Sequence, residues 1–519
     1  MGEFGDFQTP VPLAKEVLTT LKGLNIQSSR ILEPTCGCGN FIRALIESKH
    51  PPKEIIGIEL QGRYVAAAGK IPAPEGVRIE ILKKNIFNFD LANQLPWKKQ
   101  GPLLIVGNPP WITNSALGAM ESTNLPSKKN LKGIRGIDAI TGCSNFDLAE
   151  AIIIKVITEL LKQRPLLAML CKVSVARNVM KYLNQAALPV QEASIRKINA
   201  KQWFNAAVDA CLFILDIGRL PLKYELDVFD SLQADRPSSR MGFVGNQFVS
   251  DIRTYNTLSF LDGKSPGHWR QGIKHDAASV MELIPENGQW LNMKGERVDI
   301  ESDFIFPLAK GSDLSGRGEF RIKHGVIVSQ KALSEDTTHL KEIAPRLWMY
   351  FKRHEDVFNS RKSSVYRNKP PFSVFGIGDY SFTPYKVLVS GFHKQFHFFP
   401  TGPQKGKPVL CDDTCYMLPC ESALQAAVAT ALLNHPVTIQ FIKSIAFLDS
   451  KRPITKAILK RIDLIALARH VSPNEIRPEI QKVFYDLSQT KLPSRNINTE
   501  DIMDSMRPSE ERSQYALFT

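Results

Sequence analysis

The segment Ile31-Leu32-Glu33-Pro34-Thr35-Cys36-Gly37-Cys38-Gly39-Asn40-Phe41 decides the fold. It reads as a buried strand that opens through a glycine turn into a helix. Glycines at 37 and 39 let the backbone turn sharply and approach a ligand with no Cβ in the way. The dinucleotide fingerprint G-x-G-x-x-G is not completed, because its third glycine position is Ile42, so a pyrophosphate cradle is disfavoured. Glu33, just ahead of the glycines, suits a cationic or amine-bearing ligand better than a phosphate. Taken alone, the stretch is equally a plain strand-to-helix turn.

Outward from this loop the first ~220 residues alternate strand and helix. Apolar runs at 30–32, 55–58, 103–106, 166–170 and 211–215 read as buried strands, and 12–24, 41–48 and 147–161 as helices. The expected fold is an α/β, Rossmann-like domain with a mainly parallel sheet over residues 1–225. A mixed α+β region, 226–519, is expected to follow. The second expected strand ends in Gly57-Ile58-Glu59, where a carboxylate is placed to accept both ribose hydroxyls of a nucleoside. Its bland reading is a solvated strand-end acid. Two acids around a glycine turn suit an adenosine ligand without phosphates, and S-adenosylmethionine fits that description.

Val106-Gly107-Asn108-Pro109-Pro110-Trp111 follows a strand of four apolar residues. Two prolines fix the backbone and remove two amide donors, so carbonyls and the Asn108 side chain are left to act as acceptors. Acceptors are what an exocyclic amine needs, and Trp111 could stack on the base that carries it. The plain alternative is a turn followed by a core tryptophan.

With these residues in view, the chain resembles the amino-methylating DNA methyltransferases, above all the gamma-class N6-adenine enzymes of type II restriction-modification systems. Glu33-Pro34-Thr35-Cys36-Gly37-Cys38-Gly39 is similar to their cofactor loop, and Asn108-Pro109-Pro110-Trp111 to their [N/D/S]-P-P-[Y/F/W] tetrapeptide. The resemblance covers the first ~220 residues by motif and the remainder by order of parts, which implies that 226–519 is a DNA target-recognition domain. It implies S-adenosyl-L-methionine as cofactor, with Thr9, Pro10, Glu33, Thr35, Gly37, Gly39, Glu59, Asn85 and Asn108 as its binding residues. Thr9-Pro10 matches an element that closes over the methionine end, and Asn85 stands where the family usually has Asp. The resemblance also implies catalysis by Asn108, Pro109, Pro110 and Trp111 and base stacking by Trp111 and Phe204, with Trp203 as the alternative. Asn145 or Asp147 would cap the helix that borders the methionine portion, although capping alone explains them.

A base buried in a duplex must be flipped out to be methylated, which demands a strong grip on the backbone. The chain carries 66 Lys and Arg against 52 Asp and Glu, a formal +14. Eleven of those cations oppose three acids between 346 and 410, so +8 of the +14 sits in one-eighth of the length. Fourteen aromatics share the stretch. Arg361, Lys362, Tyr366, Arg367, Lys386 and Lys394 are the expected DNA contacts, against the plain reading of a basic surface over an aromatic core. His393/His397 and Cys411/Cys415 lack the usual zinc spacing, so no metal is expected.

Eight scattered cysteines and no apolar run of ~18 residues predict a cytoplasmic protein in a reducing compartment, without a membrane span. The N-terminus does not read as a secretory signal. The expected partner is double-stranded DNA, a cognate restriction endonuclease would be a separate chain, and the protein is expected to be a monomer. Cytosine N4, RNA adenine or a protein Gln present similar nitrogens to the same tetrapeptide, and a noncatalytic DNA-binding subunit would keep the fold without the chemistry. The basic second region favours duplex DNA among these.

Overall fold

The computed structural model describes residues 8–112, 147–218, 224–315, 320–333, 335–493 and 497–508. It divides into two compact units, Met1–Arg253 and Thr254–Thr519.

Unit one is built on a ten-stranded sheet. Its strands are β1 (Arg30–Glu33), β2 (Glu54–Glu59), β3 (Arg78–Lys83), β4 (Leu103–Gly107) and β5 (Leu166–Lys172), then β6 (Val190–Ile198), β7 (Ala210–Ile217), β8 (Glu225–Phe229), β9 (Ser239–Val244) and β10 (Gln247–Val249). The spatial order is β10-β9-β8-β6-β7-β5-β4-β1-β2-β3. From β3 to β5 all neighbours are parallel, and β7 then inserts antiparallel between β5 and β6. β1, β4 and β5 are covered on both faces, which is why they read as unbroken apolar runs. Strand order reverses between β1 and β4, and the crevice beyond the carboxyl ends of such strands is where open α/β sheets take ligands.

Helices pack on this sheet by their apolar stripes. In α1 (Val11–Gly23) the buried residues are Leu13, Ala14, Val17 and Leu21, a helical repeat that faces α2 (Asn40–Ile46). α3 (Gly62–Ala68) follows β2, and α4 (Leu91–Gln94) is capped by Asp90. α5 (Leu148–Leu160), nearly all buried, starts at Asp147, whose side chain accepts the Ala149 amide. α6 (Val173–Gln185) and α7 (Ala200–Phe204) complete the set.

The expected strands and helices lie close to the observed ones, but the expected boundary at 225 differs from the observed division. β8 pairs in parallel with β6, and β9 and β10 continue from it, so residues 225–249 belong to the first sheet. Within them β8 alternates polar and apolar residues, with Leu226 and Val228 buried and Glu225 and Asp227 less so.

Unit two holds two further sheets. One has four antiparallel strands, in the order Arg270–Gln271, Cys415–Cys420, Tyr385–Ser390, Phe399–Thr401. The other has six, centred on Glu282–Glu286, His324–Ile327 and Ile305–Ala309. An aromatic core of Phe351, Phe358 and Phe372 packs by edge and tilted contacts beside the larger sheet. Helices Ala423–Asn434, Pro436–Ile445, Leu464–His470 and Pro473–Ser488 close the unit. Among the described residues no helix is long and apolar enough to cross a membrane.

Candidate active site

β1 delivers Glu33 to the crevice, and the next six residues fold back on themselves. The Cys36 amide donates to Ile58 O at 2.9 Å and the Gly39 amide to Cys36 O at 2.8 Å. Both glycines sit at positive φ, 50° and 79°, a region closed to most residues with a Cβ. A Cβ on Gly37 would lie 2.4 Å from Gln8 Oε1, and one on Gly39 2.5 Å from Ile71 Cδ1. The loop is therefore packed as well as turned.

Glu59 fastens this loop to β2. Its carboxylate accepts the Gly37 amide at 2.9 Å and the Gln61 amide at 2.7 Å. From the other side comes the segment before α1. Gln8 Oε1 accepts the Cys38 amide at 3.0 Å, and Asn40 Nδ2 donates to Thr9 O at 2.8 Å. Residues 8 and 9 thus strap the glycine turn.

Glu33 is 3% exposed, and its Oε2 has no hydrogen-bond partner among the described residues. Burial, and then the neighbouring Glu59 charge, push its carboxyl well above the usual carboxylate range. Thr35 Oγ1 is likewise buried and without a hydrogen-bond partner. Buried polar atoms left unsatisfied are costly, and they cluster where a ligand completes them.

Thr9, Glu33, Thr35, Gly37, Glu59, Asn85 and Asn108 all line one open pocket of about 1100 Å³, mouth included. The structure thus brings together seven of the nine expected cofactor residues, from five separate stretches of chain. Pro10 and Gly39 do not line it, and Gly39 shapes the turn from behind. Asn85 Oδ1 already accepts the Phe87 amide at 3.0 Å, an Asx turn that fixes the side chain and leaves that oxygen a second lone pair. Tyr64, Ile86 and Phe87 supply apolar wall that the motifs did not select, as do Ile112, Leu148 and Ile152. Ile86 and Phe87 directly follow Asn85, so proximity in sequence was the available signal. Tyr64, on α3, had none.

Asn108 leaves the carboxyl end of β4 after Gly107, which pairs with Met169 of β5. Pro109 is buried and Pro110 reaches the pocket wall. Trp111 is 6% exposed, and its Nε1 donates to Leu170 O at 3.4 Å. Phe204 stands 5.1 Å away, edge-on at 71°. The two rings touch each other here rather than flanking an open slot, so a base between them requires the pair to part. Trp203 is only partly buried against the same core. Asn145 lies outside the described residues.

The expected DNA contacts divide into two groups. Lys362, Arg367 and Lys394 are exposed. Lys386 is fully buried in the strand Tyr385–Ser390, its Nζ donating to Thr383 O, and burial pushes its ammonium down to about 8. It cannot meet a phosphate there, which corrects the expectation for this residue. Arg361 is half-buried and turned inward as well. Its guanidinium donates to Phe358 O at 3.0 Å and Ser373 O at 2.6 Å and lies 3.8 Å over the Tyr366 ring. The Tyr366 hydroxyl donates to Lys274 O at 2.9 Å. Both side chains brace unit two rather than standing out from it.

No family model matches the chain. The chain is 38% identical over 481 residues to the Type II methyltransferase M.NspV of Nostoc sp. (strain ATCC 29411 / PCC 7524), covering 90% of this chain and 97% of that protein. This chain belongs to the Type II methyltransferases. Its fold is similar to that of MmeI, a Type IIL restriction-modification enzyme solved in complex with DNA. That match has a TM-score of 0.53 at 14% identity over 98% of this chain and 75% of MmeI. The fold is thus a Rossmann-like methyltransferase domain followed by a mixed α+β region.

Proposed function

We propose that the protein is a site-specific DNA methyltransferase that transfers a methyl group from S-adenosyl-L-methionine to adenine N6 in duplex DNA by base flipping. The observation that carries this reading is that Asn108 opens onto the same pocket as Glu33, Gly37 and Glu59. A nucleoside cofactor and an amine acceptor can thus meet there.

The residues present fit the cofactor. Among the described residues, buried Glu33 Oε2 and Thr35 Oγ1 have no hydrogen-bond partner, and the positive-φ glycines at 37 and 39 allow a turn too tight for a Cβ at either position. Glu59 would accept the ribose hydroxyls while holding the loop. Asn85 would accept from the adenine amine, with Ile86 and Phe87 against the ring. Thr9 and Pro10 would enclose the methionine end. When bound, the cofactor supplies an electrophilic methyl on a sulfonium.

Asn108 Oδ1 and the Pro109 carbonyl would accept the two N–H bonds of the target amine. That draws the nitrogen lone pair out of conjugation and aims it at the methyl, so catalysis relies on position and electrostatics rather than on a titrating base. Trp111 and Phe204 would hold the extruded ring once their mutual contact opens. Lys362, Arg367 and Lys394 would contribute to the grip on phosphates. The reading also implies a cytoplasmic, monomeric enzyme that shields host DNA from a separately encoded nuclease. Purified protein with tritiated S-adenosylmethionine and unmethylated genomic DNA is expected to yield labelled N6-methyladenine on nucleoside mass spectrometry. Label in N4-methylcytosine would change the target base, and absence of any label in DNA would sink the reading.

A further inference from the structure

The tetrapeptide poses a mechanical problem. Pro109 and Pro110 have no amide hydrogens, so this turn cannot be anchored through its own donors as ordinary loops are. It must be gripped by its carbonyls and its neighbours. On the β4 side Gly107 is fixed in register with Met169. On the other side the only backbone donor available before Ile112 is that of Trp111.

Lys172 addresses this end. It is the last residue of β5 and precedes the first turn of α6. Its Nζ donates to the Trp111 carbonyl at 3.1 Å and to Asp147 Oδ2 at 2.7 Å. Asp147 is the N-cap of α5, its other oxygen accepting the Ala149 amide at 3.0 Å. The Leu148 amide donates to Ile112 O at 2.9 Å. One ammonium therefore ties the exit of the tetrapeptide to the start of the helix whose Leu148 and Ile152 wall the pocket. Lys172 is 21% exposed and Asp147 10%, so the pair is shielded enough for its geometry to persist.

We infer that Lys172, held by Asp147, is a positioning residue for methyl transfer: it clamps the Trp111 carbonyl and so sets where Asn108 and the Pro109 carbonyl point. With φ locked at two successive prolines, a displacement at Trp111 is passed back along a stiff segment rather than absorbed. Lys172 itself touches neither substrate nor cofactor in this role. A partly buried lysine serving only packing would be replaceable by methionine without kinetic effect.

The kinetic arm of the test rests on the methyl-transfer reading above, and the second arm does not. Lys172→Met is expected to lower kcat on genomic DNA by about 10- to 100-fold, with cofactor affinity by calorimetry within about threefold of wild type and KM for DNA little changed. Lys172→Arg, which keeps a charged donor, recovers most of the loss. Asp147→Asn keeps the cap but drops the charge, and gives a smaller fall. A Lys172→Met enzyme with wild-type kcat overturns the proposal, as does a loss of kcat matched by an equal loss of cofactor affinity that Lys172→Arg fails to mend. Hydrogen exchange reads the clamp with no substrate present. Lys172→Met should speed exchange at the amides of Trp111, Ile112 and Leu148 while those of Ile31 and Leu32 in β1 stay protected. Unchanged exchange at Trp111, Ile112 and Leu148 overturns the proposal even if the wild type proves to methylate something other than DNA.

Discussion

The glycine turn at 33–39 and the basic stretch at 346–410 both stand out in the sequence, yet the structure treats them differently. Seven of the nine expected cofactor residues, drawn from the turn and its companion motifs, converge on one pocket. Of six cations and aromatics chosen in the basic stretch, three are exposed and three are built into the interior or against it. Motifs of glycine and proline announce backbone shape, which is local and leaves the chain few options. A charge count says nothing about which way a side chain faces.

The sharpest way to break the comparison is at Asn108. If the tetrapeptide is where the chemistry occurs, Asn108→Ala should reduce methyl transfer by about 10²- to 10³-fold, the usual cost of one preorganised acceptor or donor at a reacting centre. Calorimetry should find cofactor binding within a few-fold of wild type. Activity near wild type would demote the motif to an ordinary turn.

Lys386 tests the other side. Its folded pKa of about 8 lies below the 10.5 of an exposed lysine, so between those values the unfolded chain binds more protons than the folded one. The buried charge therefore costs stability in full below pH 8, roughly 3 kcal/mol for such a shift, and that cost fades as pH rises toward 10.5. Lys386→Met should be more stable than wild type at pH 7, and the difference in denaturation midpoint should shrink by pH 10. DNA affinity should not change. A drop in affinity without a change in stability would return Lys386 to the surface.

Much of this was legible beforehand, and the reasons are local. β1, β4 and β5 are buried on both faces and announce themselves as apolar runs. β6, with Gln191, Glu192, Arg196 and Lys197 among its residues, and the edge strand β3, no residue of which is fully buried, do not. Lys386 did carry a signal. It sits inside Tyr385-Lys386-Val387-Leu388-Val389-Ser390, a strand otherwise apolar enough to be interior. Arg361 carried none, because the Ser373 carbonyl and the Tyr366 ring reach its guanidinium only through the folding of the intervening chain. The same holds for the Lys172 clamp, whose two acceptors lie 61 and 25 residues away.

Glu33 links stability to the site. Its carboxyl titrates above the ordinary range in the folded protein, so the folded state holds a proton that the unfolded state has lost, and stability falls as pH rises through that interval. Glu33→Gln removes the penalty, so it should raise Tm at pH values above the unfolded carboxyl's titration and leave Tm nearly unchanged at low pH, where the acid is protonated in both states. The same change should weaken cofactor binding, measured by calorimetry, because it removes the buried acid whose Oε2 is left for a ligand. A variant that is less stable and binds normally would mean that Glu33 is a structural acid.

The smallest expected effects are at the exposed cations, and they still separate the two groups. Each phosphate contact contributes about 0.9 to the slope of log affinity against log salt on duplex DNA. Lys362→Ala, Arg367→Ala and Lys394→Ala should each lower that slope by up to about 0.9 and weaken binding several-fold at low salt, leaving Tm nearly unchanged. Arg361→Ala should do the reverse, because losing its bonds to Phe358 O and Ser373 O and its stacking on Tyr366 loosens unit two without removing an outward charge. If Arg361→Ala instead lowers the salt slope at constant Tm, its guanidinium must leave the interior to meet DNA. The inward geometry would then be a resting position and not a structural role.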